Sequence, residues 1–210
     1  MTGLPFNELT ARLASREPIP GGGSAAALAG AMGAGLVAMV AELTIGRPDA
    51  APHEHALREL RDGAVARLEL LQRLAEQDAT AYQAVVMARR LPRETDEQRA
   101  ARGAELGLAM VAAAEVPLRT AEVAAEVLEL AHEIAPIGNP NAVSDAGVGA
   151  QLASASVRGA ILNVRINLPY LPAESSLRET AAADADRLER QAADVEAATL
   201  AIVNGRIMPS

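Results

Sequence analysis

Asp78 occupies a position from which a carboxyl could exchange protons. Steps of three and four through Leu57, Ala64, Leu68, Leu71, Ala75, Asp78, Tyr82 and Val85 trace one stripe of a helix. Asp78 therefore lies on an apolar seam, with Tyr82 one turn later on the same face. A carboxyl facing a core is costly unless paired, and desolvation raises its pKa toward the range useful for acid–base catalysis. The same spacing also fits an Asp78 that pairs with an arginine or sits at the rim of the seam.

Other stretches carry polar groups at helix starts or along helix faces. The run Gly138-Asn139-Pro140-Asn141-Ala142-Val143-Ser144-Asp145 places short polar side chains before a helix whose free N–H groups attract acceptors and anions. Asp145 in the first turn is favoured by the helix dipole whatever the function. Farther along, Ser156, Gly159, Asn163 and Asn167 form a small, polar stripe. Amides in an otherwise Ala, Val and Ile helix need partners: one another, or a heteroaromatic ring bearing donors and acceptors. The loop Pro20-Gly21-Gly22-Gly23-Ser24 exposes backbone N–H groups at a helix start, which either cradle an anion or simply turn the chain. His53, His55 and His132 lack metal-ligand spacing, so no metal is assigned. Arg89, Arg90 and Arg93 gather at a helix end, where cations are favoured in any case.

These side chains need helices to hold them. A short helix is expected over about Pro5 to Ser15, broken by Pro18, Pro20 and the three glycines. Ser24 is expected to cap a second helix ending near Gly46. Ala26, Gly30, Ala34 and Ala38 recur every four residues on it, a ridge suited to a central helix or a dimer seam. A third helix runs from about His53 to Leu91. Thr95 with Gln98 matches a capping box and opens a fourth that reaches about Ala135, kinked or split at Pro117. Ser144 reads as the cap of a fifth ending before Pro169. Ser176 with Glu179 opens a sixth, stopped at Gly205.

Composition agrees with that reading. Among 210 residues there are 48 Ala and 25 Leu, against one Phe, two Tyr and no Trp. Strong helix formers dominate and strand formers are scarce, which predicts an all-α, up-and-down helical bundle in a single domain over residues 1–210. No Cys or Lys occurs, which removes disulfides, thiolate nucleophiles, Schiff bases and a P-loop lysine. The net charge of −8 argues against nucleic acid as a partner. Ile19 to Ala41 is uncharged, but its Gly- and Ala-rich content favours a buried helix over a membrane span. Met1 to Asn7 lacks the basic and apolar regions of a signal peptide, so the cytoplasm is the expected location.

Taken together, Pro18-Ile19-Pro20-Gly21-Gly22-Gly23-Ser24, Asp78-Ala79-Thr80-Ala81-Tyr82, Leu91-Pro92, Val116-Pro117-Leu118, Gly138-Asn139, Ser144-Asp145 and Asn163-Val164-Arg165-Ile166-Asn167-Leu168 form an ordered set over nearly the whole chain. In that order and spacing the chain resembles the cyclodeaminase/cyclohydrolase family of folate enzymes. That family includes the C-terminal domain of formiminotransferase-cyclodeaminase and stand-alone methenyltetrahydrofolate cyclohydrolases. The resemblance implies a helical bundle that forms a homodimer, with folate sites near the subunit interface. It implies that Asp78 is the proton donor. Gly21, Gly22, Gly23, Ser24, Tyr82, Asn139, Ser144, Asp145, Asn163 and Asn167 would shape the folate pocket. The segment Gly46 to Pro52 departs from the family in lacking a basic, Lys-bearing stretch, so substrate-tail contacts are not expected there.

The expected activity is thus chemistry at the one-carbon unit between N5 and N10 of tetrahydrofolate. It would be either ring closure with ammonia loss from 5-formiminotetrahydrofolate or hydrolysis of methenyltetrahydrofolate. No cofactor beyond the tetrahydrofolate substrate is expected. Arg158 and Arg165, seven residues apart, are candidates for holding the glutamate tail or for plain solvation. The contrasting expectation is a non-catalytic folate-binding or structural bundle, whose polar stripes serve packing alone.

Overall fold

A computed structural model describes residues 1–207. Its elements are α1 (Phe6–Leu13), α2 (Gly22–Glu42), α3 (Glu54–Arg90), α4 (Asp96–Ile137), α5 (Val143–Asn167) and α6 (Leu177–Ile207). Short 3-10 turns lie at Pro48–His53, Pro140–Ala142 and Leu168–Tyr170. Among the described residues there is no strand. Helices α2 to α6 alternate in direction: Gly23 meets Asp78, Arg67 meets Glu126, Asn167 meets Ala113, and Arg165 meets Asp186.

Helix α2 packs against α3, α5 and α4, and buried residues from α2 through α6 share one apolar cluster. Glycine lets α2 and α5 approach backbone to backbone. A Cβ at Gly33 would stand 2.8 Å from the Gly149 carbonyl oxygen, and one at Gly30 would stand 2.7 Å from Ser156 Oγ. The small-residue ridge of α2 is thus consumed inside one chain. Helix α2 is long and apolar enough to cross a membrane by length and composition, yet most of it is buried among its neighbours.

Several helix ends differ from expectation. Gly21, not Ser24, is the N-cap of α2, because the Ser24 hydroxyl is engaged elsewhere. Ala142, not Ser144, precedes α5. Helix α2 ends at Glu42, four residues early, and Gly46 forms the following turn with φ of +80°. Gly205 does not stop α6, which continues to Ile207. The capping box at α4 forms as expected, Thr95 Oγ1 accepting from Gln98 N at 3.2 Å and Gln98 Oε1 from Thr95 N at 3.2 Å.

Pro117 neither splits nor ends α4. Proline removes the N–H that would bond to the carbonyl four residues earlier, here Ala113. That carbonyl accepts instead from Asn167 Nδ2 of α5, at 2.7 Å. The expected break is replaced by a tie between two helices, as a buried carbonyl requires a donor.

Candidate active site

The first turn of α2 meets the middle of α3 at Asp78. Ser24 is fully buried, and its hydroxyl lies 2.8 Å from Asp78 Oδ2 and 3.1 Å from the Ala75 carbonyl oxygen. Gly23 permits this approach, since a Cβ there would overlap the Asp78 carboxyl. Any side chain at position 23 would displace the acid. Burial pushes the Asp78 pKa above the ordinary carboxylate value, opposed less strongly by the Ser24 hydroxyl and amide. No arginine or histidine pairs with Asp78 among the described residues, which sets aside the ion-pair reading.

Asp78 opens onto a cavity of about 440 Å³, within the range of small-molecule sites. Its lining includes Gly21, Gly22, Gly23, Tyr82, Asn163 and Asn167, all expected from the sequence. Gly22 lies beside the Asn163 amide, whose Nδ2 donates to the Gly159 carbonyl at 2.9 Å. Asn167 Nδ2 donates to both Ala113 and Asn163 carbonyls. With the amide nitrogens held this way, no protein donor reaches either Oδ1 among the described residues. Two acceptors therefore remain for a ligand bearing N–H groups.

Tyr170, Met110 and Arg89 also line the cavity and were not anticipated. Tyr170 lies in a 3-10 turn, outside any helical period, yet both tyrosines of this aromatic-poor chain reach the cavity. That scarcity was the signal available. A flat, partly apolar ligand would find ring faces at Tyr82 and Tyr170 and acceptors at the asparagines.

Three expected residues lie elsewhere in the chain. Asn139 donates from Nδ2 to the Leu43 carbonyl at 3.1 Å and accepts from Asn141 N at 3.0 Å, tying the far end of α2 to the α4–α5 turn. Ser144 and Asp145 stand in the first turn of α5, and Asn163 follows about 27 Å along the helix axis. Within one chain these three do not reach the Asp78 cavity. Arg158 pairs with Glu196, and Arg165 with Asp186 and Glu189, so both are committed to the α5–α6 surface. Among the described residues no group of three His, Asp or Glu side chains converges to hold a metal.

Residues 5–186 match the family model described as formiminotransferase-cyclodeaminase. The chain is 43% identical over 171 residues to a methenyltetrahydrofolate cyclohydrolase of Methylorubrum extorquens, covering 80% of this chain and 82% of that protein. It is 36% identical over 154 residues to the formimidoyltransferase-cyclodeaminase of Mus musculus, covering 73% of this chain but 28% of that longer protein. The fold is similar to the crystal structure of a formiminotetrahydrofolate cyclodeaminase from Thermotoga maritima, with a TM-score of 0.87, 25% identity and 99% of both chains covered. A half-buried, unpaired acid against a glycine-rich helix start, matched by these likenesses over most of the chain, means that the protein belongs to the formiminotransferase-cyclodeaminase family.

Proposed function

We propose that the protein is a folate one-carbon enzyme acting at the carbon between N5 and N10 of tetrahydrofolate. The observation that carries this is Asp78: partly buried, without a cationic partner, and facing a ligand-sized cavity. Hydrolysis of methenyltetrahydrofolate is the first reading, supported by the 43% identity to a protein of that name over most of both chains. The pteridine would lie against Tyr82 and Tyr170, with its N–H groups toward Asn163 and Asn167 Oδ1.

In that pose water adds to the methenyl carbon and passes a proton to the Asp78 carboxylate. Asp78 returns the proton to N5 as the N5–carbon bond breaks, leaving the formyl group on N10 and releasing the hydroxyl proton to solvent. Ser24 holds the carboxyl in line, and its hydroxyl limits how far burial raises the pKa. A second reading is supported by the Thermotoga maritima likeness. There N10 attacks the formimino carbon, and the N10 proton passes to the formimino nitrogen. Protonated Asp78 gives that nitrogen a second proton as the C–N bond breaks, so that ammonia departs and the methenyl cation remains. No cofactor beyond the tetrahydrofolate substrate is required for either, and the cytoplasm is the proposed location.

We also place the working form as a homodimer. Met32 and Met39 of α2, Leu43 just beyond its end, and Val148, Leu162 and Ile166 of α5 are exposed large apolar side chains. Steps of three and four along α5 put Ser144, Val148, Ala155, Leu162 and Ile166 on one outward face, with Ile166 at the cavity. A second copy laid antiparallel on this face, about a two-fold axis near Ala155, would carry its own Ser144 and Asp145 to the rim of the cavity. The activity is tested by following methenyltetrahydrofolate absorbance. Loss of the signal on adding protein supports hydrolysis, and its appearance from 5-formiminotetrahydrofolate supports ring closure. No change with either compound overturns the proposal.

A further inference from the structure

The Asp78 cavity does not end at Tyr82. Asp78, Tyr82, Val85 and Arg89 follow steps of four, three and four along α3, so they share one face, and all four line the cavity. Arg89, Met110 and Tyr170 also line a second, wider groove of about 880 Å³. Arg89 therefore borders both spaces, about 16 Å along the helix axis from Asp78.

The junction carries a cation that no carboxylate offsets among the described residues. The chain carries a net charge of −8, and Arg158 and Arg165, candidates for either a substrate tail or plain solvation, are neutralised by Glu196, Asp186 and Glu189. No carboxylate pairs with Arg89 among the described residues. A cation in the last turn of a helix complements the dipole in any case, and Arg90 shares that turn. Arg90 lines neither space, so compensation of the dipole does not account for where Arg89 sits.

Resting on the folate reading above, we propose that the substrate's p-aminobenzoyl group runs along α3 from Asp78, and that Arg89 binds the carboxylates of the glutamate tail. Arg89 is then a specificity-determining residue for glutamylated folates. A planar guanidinium suits a carboxylate because it can donate two parallel N–H bonds. Val85 and Met110 offer apolar contact to the ring between the two ends. Glu115 and Glu174 also line the wider groove, and no described lining residue besides Arg89 is a cation. Discrimination therefore falls at the first glutamate.

The test compares methenyltetrahydrofolate with methenyltetrahydropteroate, the same compound without its glutamate, in wild-type protein and in Arg89→Met. The expected result is a KM for the folate that rises about tenfold in Arg89→Met with kcat little changed, the signature of lost uniform binding. The pteroate KM stays the same in both proteins. Arg89→Lys recovers part of the loss, Arg90→Met changes neither KM, and added salt weakens folate binding in wild type more than in Arg89→Met. An unchanged folate KM in Arg89→Met, or an equal rise for both compounds, overturns the proposal. Wild-type protein that turns over neither compound overturns the hydrolase reading itself, and this proposal falls with it.

Discussion

A carboxyl that moves protons near neutrality must be dry enough to hold its proton and open enough to reach a substrate. Asp78 meets both conditions because Gly23 brings the start of α2 against it while the cavity leaves its other side free. Burial holds its pKa above the ordinary carboxylate value. In the folded protein it therefore binds its proton more tightly than in the unfolded chain. Its contribution to stability is complete below the ordinary carboxylate range and is lost as pH rises through the raised value. Asp78→Asn removes that penalty while keeping a group that can bond to Ser24. The variant should melt higher than wild type at about pH 8, with the difference shrinking toward about pH 4. Calorimetry at several pH values checks this, and a pH-independent difference would contradict the burial argument. Helical spacing put Asp78 on the apolar seam, while leaving open a paired or rim position. The bond from Ser24 was not legible, because the partner lies 54 residues away and Ser at a helix start reads equally well as a cap.

Among the elements, α4 and α5 illustrate how a local rule is redirected by a neighbour. Pro117 signals a kink, but the carbonyl it frees is taken by Asn167, which holds that amide at the cavity with its Oδ1 exposed to ligand. Pro117→Ala restores an N–H that competes for the Ala113 carbonyl. Proline inside a helix costs about 3 kcal/mol relative to alanine, so the melting temperature of this variant should hold or rise. The folate KM should rise severalfold as Asn167 loses its tie. Steady-state kinetics beside a thermal melt separates the two effects, and a fallen melting temperature with unchanged KM would count against the tie. The length of α5 also explains what spacing along the sequence concealed. Asn139, Ser144 and Asp145 precede Asn163 and Asn167 closely in order, but a 25-residue helix puts them at opposite ends of the bundle. Tyr170 was hidden for a different reason, since a 3-10 turn has no helical period to reveal its direction.

For the whole molecule, composition carried most of the fold. An alanine-rich chain with hydrophobic residues every three or four positions can bury them only by packing helix on helix. The alternating helices α2 to α6 do so around one main cluster, with a smaller one of Val85, Ala88, Ala109 and Met110. Among the apolar surfaces one chain leaves uncovered is the outer face of α2 and α5. If a second copy covers it, sedimentation should give twice the 21.7 kDa chain mass. Met32→Glu with Leu162→Glu should then yield a monomer of lowered activity, because the partner's Ser144 and Asp145 leave the cavity rim. A wild-type monomer of full activity would remove the dimer and its shared site together.

Asp78 is the group proposed to move the proton, and the pH dependence of turnover tests this most directly. Wild-type protein, assayed by methenyltetrahydrofolate absorbance with the uncatalysed rate subtracted, should show a rate limb centred above the ordinary carboxylate range. The limb should rise with pH for hydrolysis, where the carboxylate takes a proton, and fall with pH for ring closure, where the acid gives one. In Asp78→Asn that limb should vanish and kcat should drop by about 10²–10⁴. A variant that keeps the limb, or turns over at near the wild-type rate, would contradict the central role of Asp78.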